Sequence, residues 1–372
     1  STALNRLETT DVAALTTTEI GALTTAQLNG LNTTTLGALN TTQVTSLSTT
    51  QVAGLSTSQL NKLGTTDVSA LTTTQVGALT TAQLNGLDST TLGALSTTQV
   101  TSLSTTQIAG LSSTALNRLE TTDVDSLTTT EIGALTAAQI SNLDSTRIAA
   151  LNTTQVTSLS TTQVAGLSTT ALNKLETTDL SALTTTEIGA LTVSQLNGLN
   201  TTELGALSTT QVTSLSTTQV AGLSTSQLNK LGSTDIAALT TTQIGALTTA
   251  QLNGLDSTTL GALTTTQVTS LSTTQVAGLS TTALNKLETT DVAALTTTEI
   301  GALTAAQLNG LNTTELGALS TTQVTSLSTT QVAGLSSTAL NRLETTDVVA
   351  LTTTEIGALT TAQLNGLDST TI

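Results

Sequence analysis

Cysteine, histidine, proline, methionine, phenylalanine, tyrosine and tryptophan are all missing from this chain of 372 residues. Each absence removes a class of chemistry. Without histidine or cysteine, a nucleophilic triad has neither its usual base nor a thiol. The customary zinc and haem donors go with them. Without aromatics there is no platform on which bases could stack. Eight Lys and Arg face 24 Asp and Glu, a formal charge of −16, so nucleic acid is not expected as a partner. No apolar run is long enough to cross a bilayer and no signal peptide is visible. The lack of cysteine leaves the redox compartment open, although it suits an exported chain that avoids disulfide errors. Only Leu, Ile, Val and Ala can form an interior, which predicts a thin aliphatic core repeated in layers.

What is present is a single unit of eight residues, seen at Thr16-Thr17-Thr18-Glu19-Ile20-Gly21-Ala22-Leu23. From Leu7 to Leu367 every eighth residue is Leu, over 45 octads without an insertion, and three residues before each Leu stands Val, Ile or Leu. Numbering the octad so that Leu23 is position 8, position 1 is usually Thr, Ser, Asn or Asp and position 4 usually Gln, Glu or Asp. That spacing is a capping box, and the Leu before it with the aliphatic residue at position 5 makes a hydrophobic staple. A helix of about six residues per octad follows. It does not run on, because eight residues of α-helix rotate about 800° and would spread the leucines over every face. Positions 6 and 7 are mostly small (Gly21, Gly30, Gly54, Ala13, Asn29). A left-handed cap is one use for them, but Val349 at position 6 resists positive φ, and close helix packing is the better general explanation. The alternative architecture is a Thr-rich β-solenoid with a corner at positions 6 and 7, against which no octad shows sustained period-two alternation. The expected fold is therefore all-α, a tight α-solenoid with one short helix per octad. No octad folds alone, so stability comes from stacking on neighbours.

A second period, seven octads long, runs through 1–372, a single continuous array. Blocks start at Glu8, Gly64, Glu120, Glu176, Gly232, Glu288 and Glu344. One basic residue precedes each start (Arg6, Lys62, Arg118, Lys174, Lys230, Lys286, Arg342), with Arg147 as the exception, and an acid follows (Asp11, Asp67, Asp123, Asp179, Asp235, Asp291, Asp347). A geometric reading makes seven octads one superhelical turn, stacking these charges into stripes; the other reading makes the block a unit of duplication. One covariation crosses the block start. Gln59 goes with Gly64 and Gln227 with Gly232, whereas Ala3, Ala115, Ala171, Ala283 and Ala339 go with Glu. Either Gln supplies packing or bonding that Glu supplies elsewhere, or linked variants were copied together. Glu and Gly also break the cap preference at position 1, predicting a different local geometry there. The chain begins at Ser1 and stops mid-octad at Ile372, as a window of a longer array would.

Carboxylates such as Glu19 and Asp11 sit where helix caps need them, and no calcium loop of the D-x-D-x-D-G kind occurs. No catalytic, cofactor-binding or metal-ligating residue is expected, no cofactor, no small-molecule substrate and no enzyme activity. Thr ranks (Thr16-Thr17-Thr18, Thr72-Thr73-Thr74) resemble the Thr content of β-solenoid antifreeze proteins, so ice binding is the alternative function. The octads L-T-T-T-Q-V-x-x-L and L-S-T-T-Q-V-A-G-L resemble the octapeptide tracts of very large bacterial secreted or cell-surface proteins of adhesion type. That resemblance spans the whole chain and implies an extracellular filament, stalk or matrix element, self-associating or in lateral contact with like chains. Haem binding, a label such proteins often carry, finds no donor residues here.

Overall fold

The computed structural model describes residues 2–368. They form two compact units, Ser1–Leu191 and Thr192–Ile372, built on one plan. Among the described residues there are 45 α-helices of four to six residues, preceded by one 3-10 turn at Leu4–Arg6, and no strand. One short helix per octad is the expected α-solenoid, and the β-solenoid alternative falls.

The capping chemistry works as its spacing implies. Before the helix Thr73–Gly77, Thr72 is extended (φ −68°, ψ 154°), and its Oγ1 accepts the Gln75 amide at 3.2 Å. Gln75 Oε1 in turn accepts the Thr72 amide at 2.8 Å. The corner needs only two extended residues: after the helix Thr49–Gly54, Leu55 (φ −65°, ψ 139°) and Ser56 (φ −68°, ψ 152°) redirect the chain into the next helix. No described residue has positive φ, so left-handed caps play no part. Glu and Gly at the block starts adopt the same backbone as Thr and Ser elsewhere: Gly64 has φ −68°, ψ 155° and Glu120 φ −70°, ψ 157°. The different geometry expected at that position is absent, because the corner asks only for an extended residue.

Positions 5 and 8 face inward, as with Val76 (0% exposed) and Leu79 (3%). The small residues divide by position. A Cβ at position 7 would collide with the neighbouring turn, at 2.5 Å from Thr57 Cγ2 for Gly86 and 2.5 Å from Thr81 Cγ2 for Gly110. At position 6, Gly21, Gly77 and Gly133 have nothing within 4 Å. Close packing on the neighbouring turn thus accounts for position-7 glycines such as these, while at position 6 Gly93 and Gly261 are crowded instead by the Ser89 and Ser257 carbonyls, 2.9 Å from a Cβ.

The superhelical turn differs from the seven octads of the geometric reading. The helix Thr81–Gly86 packs on Thr57–Leu60 on one side and on Ser113–Leu116 on the other, its third predecessor and fourth successor. Side-chain bonds between turns recur at a separation of 28 residues. One turn is three and a half octads, and the seven-octad block is two turns. The physical reason is the interior: two aliphatic side chains per octad fill the middle of a ring of three or four short helices, whereas a ring of seven would enclose a void they cannot reach across. The half-octad remainder sets the start of each helix over the end of another.

Candidate functional site

The recurring polar site of this molecule is the seam between turns, and the side chain at position 4 makes it. Gln75 caps its own helix with Oε1, while its Nε2 donates to the carbonyls of Val44 (3.1 Å), Thr45 (3.2 Å) and Leu47 (2.8 Å) in the turn before. Those carbonyls stand at the end of a helix, where intrahelical donors run out; that of Val44 also takes the Leu47 amide at 3.2 Å. One amide therefore completes the start of one helix and the end of another. The same bonds are made in the first unit by Gln43, which reaches Val12 and Leu15, and in the second by Gln363, which reaches Val332 and Leu335. These glutamines are buried, Gln75 to 3% exposure. Reading the sequence placed position 4 in the cap and missed this second bond, whose partner belongs to the preceding turn.

The substitutions at position 4 follow from that demand for a donor. Arg147, the base outside the block pattern, donates from Nε and an Nη to the Leu119 carbonyl (3.0 and 2.9 Å), again 28 residues back, and pairs with Asp144 at 3.1 Å. Where position 4 is Ala115, Ala283 or Ala339, the base three residues on takes over: Lys286 Nζ reaches the Leu255 carbonyl at 2.6 Å, Arg342 reaches Leu311 at 2.9 Å, and Arg118 reaches Leu87. In Gln59 blocks the equivalent carbonyl, that of Leu31, takes Gln59 Nε2 at 2.8 Å. Across the covariation the donor thus passes from Gln to the nearby Lys or Arg in those Ala blocks, and the change of Gly to Glu has no structural explanation. Glutamate at position 4 after a Thr cap keeps the capping bond and lacks the donor. Glu131 Oε2 accepts the Thr128 amide at 2.7 Å, while its Oε1 is buried without a hydrogen-bond partner, as are Glu299 Oε1 and Glu355 Oε1. Aspartate is too short to reach across. It accepts instead from a Thr hydroxyl 26 residues earlier: Thr97 to Asp123 at 3.0 Å, Thr265 to Asp291 at 2.9 Å.

A column of asparagines at position 6 ties the same seam on another side. Asn29 Nδ2 donates to the Gly54 carbonyl at 2.7 Å and its Oδ1 accepts the Ser56 amide at 2.7 Å. Asn61 clamps Gly86 and Asp88, and Asn85 clamps Gly110 and Ser112. Ser141 takes the place once, accepting the Ser168 amide at 2.9 Å. Because Asn29 holds the Ser56 amide, Gln59 Oε1 is left without a partner. The column steps alternately by three octads and by four, through Asn5, Asn29, Asn61, Asn85 and Asn117, a signal in the sequence of two turns per block.

Electrostatics follow burial and caps. The Thr91 main-chain N–H holds the Asp88 carboxyl below the usual carboxylate range, and the Thr259 N–H does so for Asp256. The amide and then the hydroxyl of Thr16 lower Glu19. Burial pushes Asp123 and Asp291 up, opposed by the Thr97 and Thr265 hydroxyls. A cavity of about 270 Å³ brings Asp125, Glu176 and Asp179 together beside Asn152 and Thr153. Two of its acids are engaged within the fold: Asp179 accepts the Thr153 hydroxyl at 2.7 Å and Asp125 the Asn152 side-chain amide at 2.9 Å. Among the described residues no group of three or more Asp and Glu is placed to hold a metal ion, and no helix is long and apolar enough to cross a membrane.

Short helices that complete their hydrogen bonds only on the adjacent turn define a helical solenoid repeat protein. The chain belongs to the ALTTAQ repeat family, whose profile matches residues 4–41, 53–81, 60–97, 116–153, 172–209, 197–233, 228–265, 284–319 and 340–372. The six letters stand here at Ala22 to Gln27 and Ala78 to Gln83, a stretch that runs from the end of one helix through the corner and cap to the bridging glutamine. A comparison with curated proteins finds no match.

Proposed function

We infer that this chain is a structural element: one continuous array serving as an extracellular filament, stalk or matrix component of a bacterium, in lateral contact with like chains and without enzymatic activity. The observation that supports this reading is the uniformity of the seam. Within each unit glutamines such as Gln43, Gln75 and Gln363 bond the equivalent carbonyls of the turn before, and Arg147 and Lys286 supply the donor where Gln is missing, so polar and apolar residues alike are spent on turn-to-turn cohesion. The acidic, Thr-rich exterior is well hydrated and suits a surface location. The ice-binding alternative gains no support, since it drew on flat ranks of Thr along strands and the position-1 threonines are helix caps.

Antibodies raised against the array test the location. On intact, unpermeabilised cells of the source organism they bind at the surface; binding only after permeabilisation overturns it. Sedimentation of the purified chain over a concentration series tests association, and a single species throughout rejects it.

A further inference from the structure

The asparagine column carries a chemical liability at every second rung. Asn29, Asn85, Asn197, Asn253, Asn309 and Asn365 are each followed by Gly. In a flexible chain this dipeptide is the one most open to deamidation: the glycine main-chain nitrogen attacks the asparagine Cγ, an N–C bond forms, ammonia leaves, and water opens the five-membered imide to aspartate or to an isoaspartyl link. A side chain on the second residue would hinder the attack. Here one would be crowded, because the glycine stands where the preceding turn presses closest, a Cβ on Gly86 lying 2.5 Å from Thr57 Cγ2. The asparagine serves the clamp and the glycine eases the packing at these rungs, so the two demands of the fold place the reactive pair here.

The fold also holds the reacting atoms apart. At Asn29-Gly30 the electrophile is clamped by Gly54 and Ser56, at 2.7 Å each. The nucleophile is occupied too: the Gly30 N–H donates to the Ala26 carbonyl at 3.1 Å, with Gly30 helical at φ −87°, ψ 0°. Attack requires both bonds to break and the local turn to unwind. We propose that the Asn-Gly rungs are modification sites that react only in opened turns, each event leaving a lasting chemical mark of an opening. The product cannot close the clamp again. Aspartate has no donor for the Gly110 carbonyl that Asn85 Nδ2 binds at 2.9 Å, and an isoaspartyl link lengthens the main chain within a register set at 28 residues.

The test compares the full chain folded and unfolded in guanidinium, held in mildly alkaline buffer, with ammonia release and peptide mass spectrometry as readouts. In the unfolded chain, conversion is expected at the Asn-Gly pairs, with Asn61-Lys62, the same clamp without glycine, as the slow internal control. In the folded chain the Asn-Gly rate falls at least about tenfold, since reaction must wait for local opening. Equal rates in the two states overturn the proposal. A second arm uses Asn85→Asp as the product: exchange protection is expected to drop around Gly110 and Ser112, and full protection there refutes the unstitching step.

Discussion

The side-chain amide of Gln75 donates to the Leu47 carbonyl at 2.8 Å across 28 residues of chain, while its oxygen caps its own helix on Thr72 at 2.8 Å. Glutamate keeps only the second of these. Gln75→Glu is expected to cost about 1–3 kcal/mol, the penalty for leaving buried carbonyls without a donor. The reverse change, Glu131→Gln, gives the buried orphan oxygen a donor in its place and is expected to stabilise by about 1 kcal/mol. Hydrogen exchange resolved by segment reads both. Unchanged protection around Val44 to Leu47 in the first variant rejects the bridging role.

The inward assignment of position 8 is tested at Leu199, which is 2% exposed and whose carbonyl takes Gln227 Nε2 at 2.8 Å. Leu199→Asp buries a carboxylate at a cost of several kcal/mol. Thr201→Asp, in the exposed first turn of the helix Thr201–Gly205, stays within about 0.5 kcal/mol because an acid suits a helix start. In a nearest-neighbour array the Leu199 defect remains local. Equal loss of protection in the two variants would show the assignment to be wrong.

Two glycines separate packing from propensity. Gly86→Ala drives a Cβ into Thr57 and is expected to destabilise by about 1–3 kcal/mol, partly relieved by Thr57→Ser, which removes the nearest carbon. Gly77→Ala meets nothing within 4 Å and lies in a helix, so it is expected to stabilise by about 0.5–1 kcal/mol. Denaturation midpoints of the three variants decide it, and the same sign for Gly86→Ala and Gly77→Ala contradicts the packing account.

How much of this was legible in the sequence depends on the range of the interaction. Caps, staple and inward leucines were readable because each is decided within one octad: Thr72 and Gln75 are three residues apart, and Val76 follows at once. The number of octads per turn was not, since it is fixed by pairs such as Gln75 and Leu47, and no local propensity reports on a partner 28 residues away. Glutamine at position 4 reads as a complete cap, which hides its second bond. The base at Arg118 or Lys286 reads as a surface charge until the carbonyls of Leu87 and Leu255 stand opposite it.

Acid and base act on the seam through the aspartates. Asp291 titrates above the ordinary carboxylate value because of burial, with the Thr265 hydroxyl opposing the rise. A raised folded value means that this group's contribution is fully present below its unfolded value and is lost as pH rises through the folded one. Thr265→Val removes the opposing donor and widens that window. It is expected to cost about 1–3 kcal/mol at neutral pH and progressively less as pH falls through the raised folded values. Urea unfolding over a pH series measures this, and a penalty independent of pH would exclude the carboxylate as its cause.

Proteolysis probes the block starts. With eight basic residues and no aromatics, and with Lys286 held on the Leu255 carbonyl, the folded chain is expected to survive prolonged trypsin or chymotrypsin. Rapid cutting at Lys62 or Lys174 would mark the block start as a flexible joint.

The half octad left over in each turn restricts how such a gene can change length. Removing one turn, 28 residues, would join the first half of one octad to the second half of another and place a cap where a leucine belongs. Removing one octad keeps the cap in phase but shifts every later asparagine off its column. Only a whole block of seven octads, two complete turns, leaves both registers intact. Chains of this kind should therefore differ in length by whole blocks, so that recombination between them changes their reach in steps of two turns without any new structural solution being required.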